Sequence, residues 1–396
     1  MVKMFSIHDV FTCSILSLLF VSSPFICTLL GYNFVSGSYA FSFFLSVLSA
    51  FFLCSYKKFF LGVLFAVLSL SIYQAFLAIT LTLVLMSYMK ELLEAPDITW
   101  RAFFFKGMRY VAFFSLSLII YLIAVKISVY ITDKKLVPHQ SIDKMASENL
   151  FLYIKGLGKA YVEFFNPKTS FPFHTKILYE TSLFILGFIL IIKGINIKNK
   201  TKLCSLAFLC ILFPPCVNCI YIMCPHEIYT LAIWIGALML YVFIFFLLEK
   251  DFFFNRIKSF VKFLVLLMII VFVRLDNMAY FQANFMQTQA IGYFTTLVSR
   301  IQNTEGYAEK YPVVFLNEFN KHSASFDFDL PILPYYGVNW LLNNYAWKTF
   351  VANWLAYRPT LAKIEDFEGL PEVKAMPHYP DYGSIKVINK TVVVNF

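Results

Sequence analysis

The sequence predicts an all-α polytopic membrane protein of about nine transmembrane helices, with a small α/β domain at its C-terminal end. Three observations carry that prediction. The chain is 60% hydrophobic and only 14% charged, more apolar surface than a soluble fold of 396 residues can bury. Its apolar runs have membrane-spanning length and are separated by basic loops. From Tyr280 onward the composition changes, and acids and bases roughly balance. The net charge of +10 therefore sits in the short loops, as the positive-inside bias requires. No basic-aromatic stripe or zinc pattern accompanies it, so nucleic acid is excluded as a partner and the lipid bilayer is the expected one.

Met1 to Leu30 begins with one lysine and a long apolar run that contains Pro24, and ends at Gly31-Tyr32-Asn33 without a small-x-small cleavage site. It reads as an uncleaved first span. Further spans are expected near 37–56, 59–72, 75–89, 110–130, 177–194, 203–223, 228–248 and 259–279. Lys57-Lys58, the stretch from Lys90 to Arg109, the cluster Lys193 to Lys202 and the group Lys250, Arg256, Lys258 alternate onto one side. That places the N-terminus in the cytoplasm and the C-terminus in the periplasm. All eight cysteines lie at or before Cys224, so a disulfide-stapled outer tail is not expected.

The run from Phe59 to Met89 is too long for one crossing and carries Ser71-Ile72-Tyr73-Gln74 near its centre. Both of its ends are basic, so it enters and returns, with Tyr73 and Gln74 at the outer turn. It is expected to be two short helices or one re-entrant element. A polar turn at the outer face suits contact with a lipid-linked substrate.

Two segments face outward. The loop 132–176 holds Asp133, Asp143, Glu148 and Glu163, and Leu150 to Phe165 has the helical spacing of a segment lying in the interface. These four carboxylates are the candidate catalytic bases, with Glu163 the best placed. The tail from Tyr280 to Phe396 predicts helices over Phe281–Gln302 and Val338–Ala356, a strand over Tyr311–Leu316, and a hairpin over Ser384–Asn395 turning near Asn389-Lys390. The division expected is therefore 1–279 and 280–396.

Cys216, Cys219, Cys224 and His226 have a metal-like spacing, but Cys216 and Cys219 fall inside a span, where small thiols pack. No metal and no cofactor is expected. His226 and Glu227, ionisable groups at the outer end of a span, are candidate substrate-binding residues together with Tyr73 and Gln74. Trp340, Trp347 and Trp354 recur every seven residues. They read first as a core or bilayer-facing stripe, and Trp347 is retained as a candidate for sugar stacking.

The stretch from Phe59 to Met89, with SIYQAFLAITLTL from Ser71 to Leu83, resembles the glucosyl transferase II (Gtr) family of serotype-converting O-antigen glucosyltransferases, often carried by temperate phages. Ser23-Pro24-Phe25 through Tyr32-x-Phe34 and the run from Ser42 to Phe52 are similar to a second family segment. The resemblance implies a GT-C enzyme of the bacterial inner membrane. Such an enzyme takes glucose from undecaprenyl phosphate glucose and adds it to an O-antigen acceptor at the periplasmic face. Two departures stand out. The family's acidic pair ahead of the Pro-Phe segment has no counterpart, and the loop Gly31 to Ser38 holds no acid, with Val35 where an Asp is usual. A basic residue near the outer end of a late span is replaced by His226. The expectation is an N-terminally shortened or weakly active member, or one whose base has moved to an acid such as Glu163. Two rival readings are an O-antigen polymerase or ligase, which would keep arginine in its central outer loop, and a flippase or other transporter, which would carry charge deep in several spans.

Overall fold

Lipid offers no hydrogen bonds, so an apolar chain in a bilayer closes its backbone bonds within helices. The computed structural model describes residues 1–30, 36–133, 149–167, 173–225, 236–249, 255–317 and 347–396, and most of them are helical. In chain order the helices are α1 (Val2–Phe5), α2 (Val10–Val21), α3 (Pro24–Leu30), α4 (Ser36–Cys54), α5 (Phe59–Ile72), α6 (Leu77–Glu94), α7 (Trp100–Thr132) and α8 (Leu150–Phe165). They continue with α9 (Phe173–Ile195), α10 (Lys200–Val217), α11 (Ile220–Met223), α12 (Met239–Glu249), α13 (Asn255–Gln302), α14 (Trp347–Trp354) and α15 (Pro371–Lys374). Among the described residues there are three strands, β1 (Val313–Leu316), β2 (Ile385–Ile388) and β3 (Thr391–Asn395).

Among the described residues six helical stretches are long and apolar enough to cross a membrane: Val10–Leu29, Ser36–Cys54, Gln74–Glu94, Trp100–Thr132, Thr175–Ile195 and Lys200–Val217. Phe59–Ile72 and Gly236–Glu249 are shorter apolar helices. The chain is a multi-pass membrane protein. Contacts divide it into Met1–Asp276 and Asn277–Phe396.

The span expected over 203–223 is interrupted, α10 ending at Val217 before the separate α11, and three further elements differ from the sequence reading. The first span is broken: Pro24 has no N–H to continue α2, and the Ser23 hydroxyl accepts from the Phe25 N–H at 3.3 Å to start α3. Helix α7 begins at Trp100, ten residues before the span expected at 110, with the Thr99 hydroxyl accepting from the Ala102 N–H as its cap. Arg101, Lys106 and Arg109 therefore lie on a helix and not in a loop. Helix α13 runs unbroken where a span and a separate helix were expected, because no proline falls anywhere between Asn255 and Gln302.

In the first unit α5 lies along α4, and small polar residues bring them close. Ser46 and Ser69 share a 2.7 Å hydrogen bond, Ser42 donates to the Ser69 carbonyl at 2.9 Å, and Ser49 donates to the Gly62 carbonyl at 2.8 Å. A Cβ on Gly62 would stand 3.2 Å from both the Phe113 ring and the Ser49 carbonyl. Thr80 of α6 donates to the Ser46 carbonyl at 3.1 Å, so one serine ties both arms of the Phe59–Met89 run to α4.

The second unit is built on a three-stranded sheet of order β1-β3-β2, with β1 parallel and β2 antiparallel to β3. The turn between β2 and β3 has positive φ at both Asn389 and Lys390, the two-residue geometry that matches strand twist. Central β3 is buried along its whole length. On one face Val392, Val394 and Phe396 meet Phe294, Leu297 and Ile301 of α13 and Trp347 and Phe350 of α14. On the other, Val393 meets Val314, Phe367 and Met376.

Trp347 is 4% exposed and stacks on Phe294 with centroids 5.8 Å apart, while Phe315 and Phe396 meet it edge-on. Trp354, the last residue of α14, is 58% exposed, so the seven-residue spacing does not give the two rings one environment. Trp340 lies outside the described residues. Trp347→Ala should destabilise the second unit by about 3–5 kcal/mol. Limited proteolysis of the membrane-embedded protein should then cut within Asn277–Phe396 while Met1–Asp276 stays intact.

Candidate functional site

The turn between α5 and α6 is the natural centre of a site, because it places polar groups inside an apolar unit. Helix α5 stops where Tyr73 turns extended, at φ −152° and ψ 109°, and Gln74–Phe76 forms a single 3-10 turn before α6 starts. The Tyr73 N–H still reaches the Ser69 carbonyl at 2.9 Å, and the Phe76 N–H reaches the Tyr73 carbonyl at 3.3 Å. Side chains secure the rest. Gln74 Nε2 donates to the Tyr121 hydroxyl of α7 at 2.7 Å, and Tyr121 is 4% exposed. The Tyr73 ring lies 4.5 Å from Tyr39 of α4 and 5.0 Å, edge-on, from Phe76.

Helix α8 joins this turn. Ala75 of the turn, Ala160 of α8 and Ile220 and Tyr221 of α11 form one buried cluster, with Tyr73 packed against it. The approach of α8 to α11 is set by a glycine. A Cβ on Gly156 would stand 2.2 Å from the Tyr221 carbonyl oxygen. Asn218, at the end of α10, donates to the Ala160 carbonyl at 3.0 Å, and the Lys159 ammonium sits 4.9 Å over the Tyr221 ring. Tyr161 donates to the Ile211 carbonyl at 2.6 Å, and Tyr179 of α9 donates to the Phe164 carbonyl at 3.0 Å. A helix expected to rest in the interface is thus pinned at several points along its length.

Glu163 shares the inner face of α8 with Gly156 and Ala160 and is 8% exposed. A carboxylate so placed is desolvated, unlike an acid in a solvated loop. Asp133 has the opposite setting. It is exposed at the C-terminal end of α7 in the left-handed conformation that short polar side chains tolerate, φ 49°. Asp143, Glu148, His226 and Glu227 lie outside the described residues. Trp347 belongs to the core of the second unit. Cys216, Cys219 and Cys224 are free thiols, and among the described residues no three His, Cys, Asp or Glu side chains gather to hold a metal ion.

Sequence reasoning missed several members of this constellation. Tyr121 and Asn218 carry no pattern of their own, and only the fold shows what they hold. Lys159 was visible merely as one of the two lysines on α8. Asp276 of α13 was legible in principle, being an acid three residues before the end of an expected span. Its Oδ1 is shielded from solvent without a hydrogen-bond partner among the described residues, and the Cys27 thiol of α3 is beside it.

The docking of α8 yields a paired test on one helix. Gly156→Ala should push α8 off Tyr221 and lower the melting temperature and the yield of folded protein. Gly158→Ala has nothing within 4 Å to meet and should be neutral or stabilising by up to about 1 kcal/mol. Thermal unfolding of the two purified variants in one detergent would compare them directly, and equal melting temperatures would disprove the close approach.

Comparison with curated proteins and with solved structures gives no match. A family model does match: that of the glucosyl transferase GtrII covers residues 1–248, which takes in the Tyr73–Phe76 turn, α8 with Glu163, and the α10–α11 elbow. The chain belongs to the GtrII glucosyl transferase family and is a membrane glycosyltransferase.

Proposed function

We propose that the protein transfers glucose from undecaprenyl phosphate glucose to a lipopolysaccharide O-antigen acceptor at the periplasmic face of the inner membrane, and so converts serotype. The observation that carries this reading is the buried cluster in which the Tyr73–Gln74 turn meets the inner face of α8, one helical turn from Glu163. A glucosyltransferase whose donor is a membrane lipid needs polar contacts at the level of the lipid phosphate; the turn offers them, and Lys159 lies over the ring of Tyr221, a member of the cluster that packs on the turn.

Each group then has a role. Gln74, held by Tyr121, and Tyr73 orient the donor phosphate, and Lys159 offsets its charge. Glu163 accepts the proton of the attacking acceptor hydroxyl. The acceptor oxygen bonds to the anomeric carbon as the bond from that carbon to the phosphate oxygen breaks, and undecaprenyl phosphate leaves. Its place on the inner face of α8, with Ala160 of the cluster that packs on the turn, suits a base that must reach a bound sugar hydroxyl. His226 and Glu227 complete the donor side, and the second unit holds the acceptor glycan.

Two experiments test the reading. Gln74→Ala should abolish glucosylation of O-antigen, read by mass spectrometry of lipopolysaccharide, with protein levels in the membrane unchanged. Glu163→Gln should lower the rate by 10²-fold or more, the usual worth of a general base. Full glucosylation by either variant removes that residue from the mechanism. The orientation is tested separately. Alkaline phosphatase fused after Phe396 should be active and a fusion at Lys198 inactive, and the reverse pattern would move the site to the cytoplasmic face.

A further inference from the structure

The second unit carries a cleft of its own, of about 650 Å³, lined by the end of α13, the segment that follows it and the residues after α14. Its lining includes three phenols, Tyr307, Tyr311 and Tyr357, together with Gln302, Glu309 and Arg358. All three rings pack against the buried core, so their orientation is fixed before any ligand arrives. One guanidinium and one carboxylate leave the lining without net charge. An anion-binding site would show an excess of cations, and an apolar site would lack the amide and the ions. Rigid amphipathic rings with neutral-sum hydrogen-bonding groups suit a polyhydroxylated, uncharged ligand.

One further feature points to a ligand. The Tyr357 hydroxyl is shielded from solvent and has no hydrogen-bond partner among the described residues, an unusual state that a ligand hydroxyl would relieve. Burial, and then the neighbouring Tyr307, push the Tyr357 phenol well above its ordinary range, so it remains a donor. Immediately before it, Ala356 takes the left-handed backbone at φ 53° that closes the C-terminal end of α14, one residue after the Leu355 N–H bonds the Val351 carbonyl.

We propose that this cleft is a carbohydrate-binding subsite that holds neutral hexose residues of the acceptor polysaccharide, with Tyr357 and Arg358 as its hydrogen-bonding groups. The proposal rests on the acceptor assignment above and adds the place and chemistry of binding.

The test uses the full chain in lipid nanodiscs and, as probe, lipid-free O-polysaccharide from the strain that carries the gene, titrated by calorimetry. Wild-type protein should bind it, and Arg358→Ala and Tyr357→Phe should each weaken binding tenfold or more. Tyr357→Phe removes only an unpartnered hydroxyl, so its melting temperature should equal or exceed that of wild type, which separates loss of binding from loss of fold. Gln74→Ala should bind the polysaccharide like wild type while failing to transfer glucose. Unchanged affinity in both cleft variants overturns the proposal, as does an absence of wild-type binding. Normal binding by wild type in cells whose O-antigen carries no added glucose would instead sink the transfer reading and leave the cleft standing.

Discussion

The hydrogen-bonded contact of α4 with α5 and α6 is the interaction on which the rest of the membrane unit depends. Inside a bilayer a serine hydroxyl has no water to turn to, so Ser42, Ser46 and Ser69 must satisfy one another or the backbone. Their small size also lets the helices close to the distance that Gly62 requires. With Ser46 bonded to α5 through Ser69 and to α6 through Thr80, the chain between those arms is fixed at both ends. The helix break at Tyr73 is affordable only because of this clamp. A turn that frees backbone groups in an apolar setting would otherwise be closed by continuing the helix.

A second constraint follows at the next layer. Once the Tyr73–Phe76 turn is fixed, it offers a small apolar surface at Ala75, and α8 fits there because Gly156 and Ala160 present almost no side chain. The same absence of bulk lets Asn218 reach the Ala160 carbonyl and lets the α11 backbone lie against α8. Residues without side-chain chemistry thus decide where Lys159 and Glu163 stand. Positioning of this kind leaves the two charged groups on a helix whose approach to its neighbours is set by backbone contact.

Much of this was legible in the sequence, and the failures have physical causes. The Phe59–Met89 run, longer than one crossing and basic at both ends, identified the turn at Tyr73–Gln74. The hairpin of β2 and β3 was readable because Asn389 tolerates the left-handed backbone that a two-residue turn demands. Helix ends were read poorly in both directions. At α7 the basic residues suggested a loop, yet lysine and arginine are good helix formers and extend the span. At α13 the change of composition near Tyr280 suggested a break, yet composition alone does not stop a helix that has no proline in it. The partners of the site were not legible at all. Tyr121 lies 47 positions from Gln74, and a single tyrosine in an apolar helix announces nothing until packing shows what its hydroxyl meets.

The burial of Glu163 is where the structural and chemical arguments converge. A glutamine would fill the same volume on α8 and hydrogen-bond nearly as well, without the desolvation that a carboxylate carries into a buried position. Burial is therefore what sets Glu163 apart from an ordinary acid of an outer loop. Asp133 illustrates the contrast within one chain: it is exposed, serves the end of a helix, and pays no desolvation cost. Of the two described candidates from the outer loop, the buried one stands on the helix that the Gly156 contact holds against α11 and whose Ala160 packs on the Tyr73–Phe76 turn.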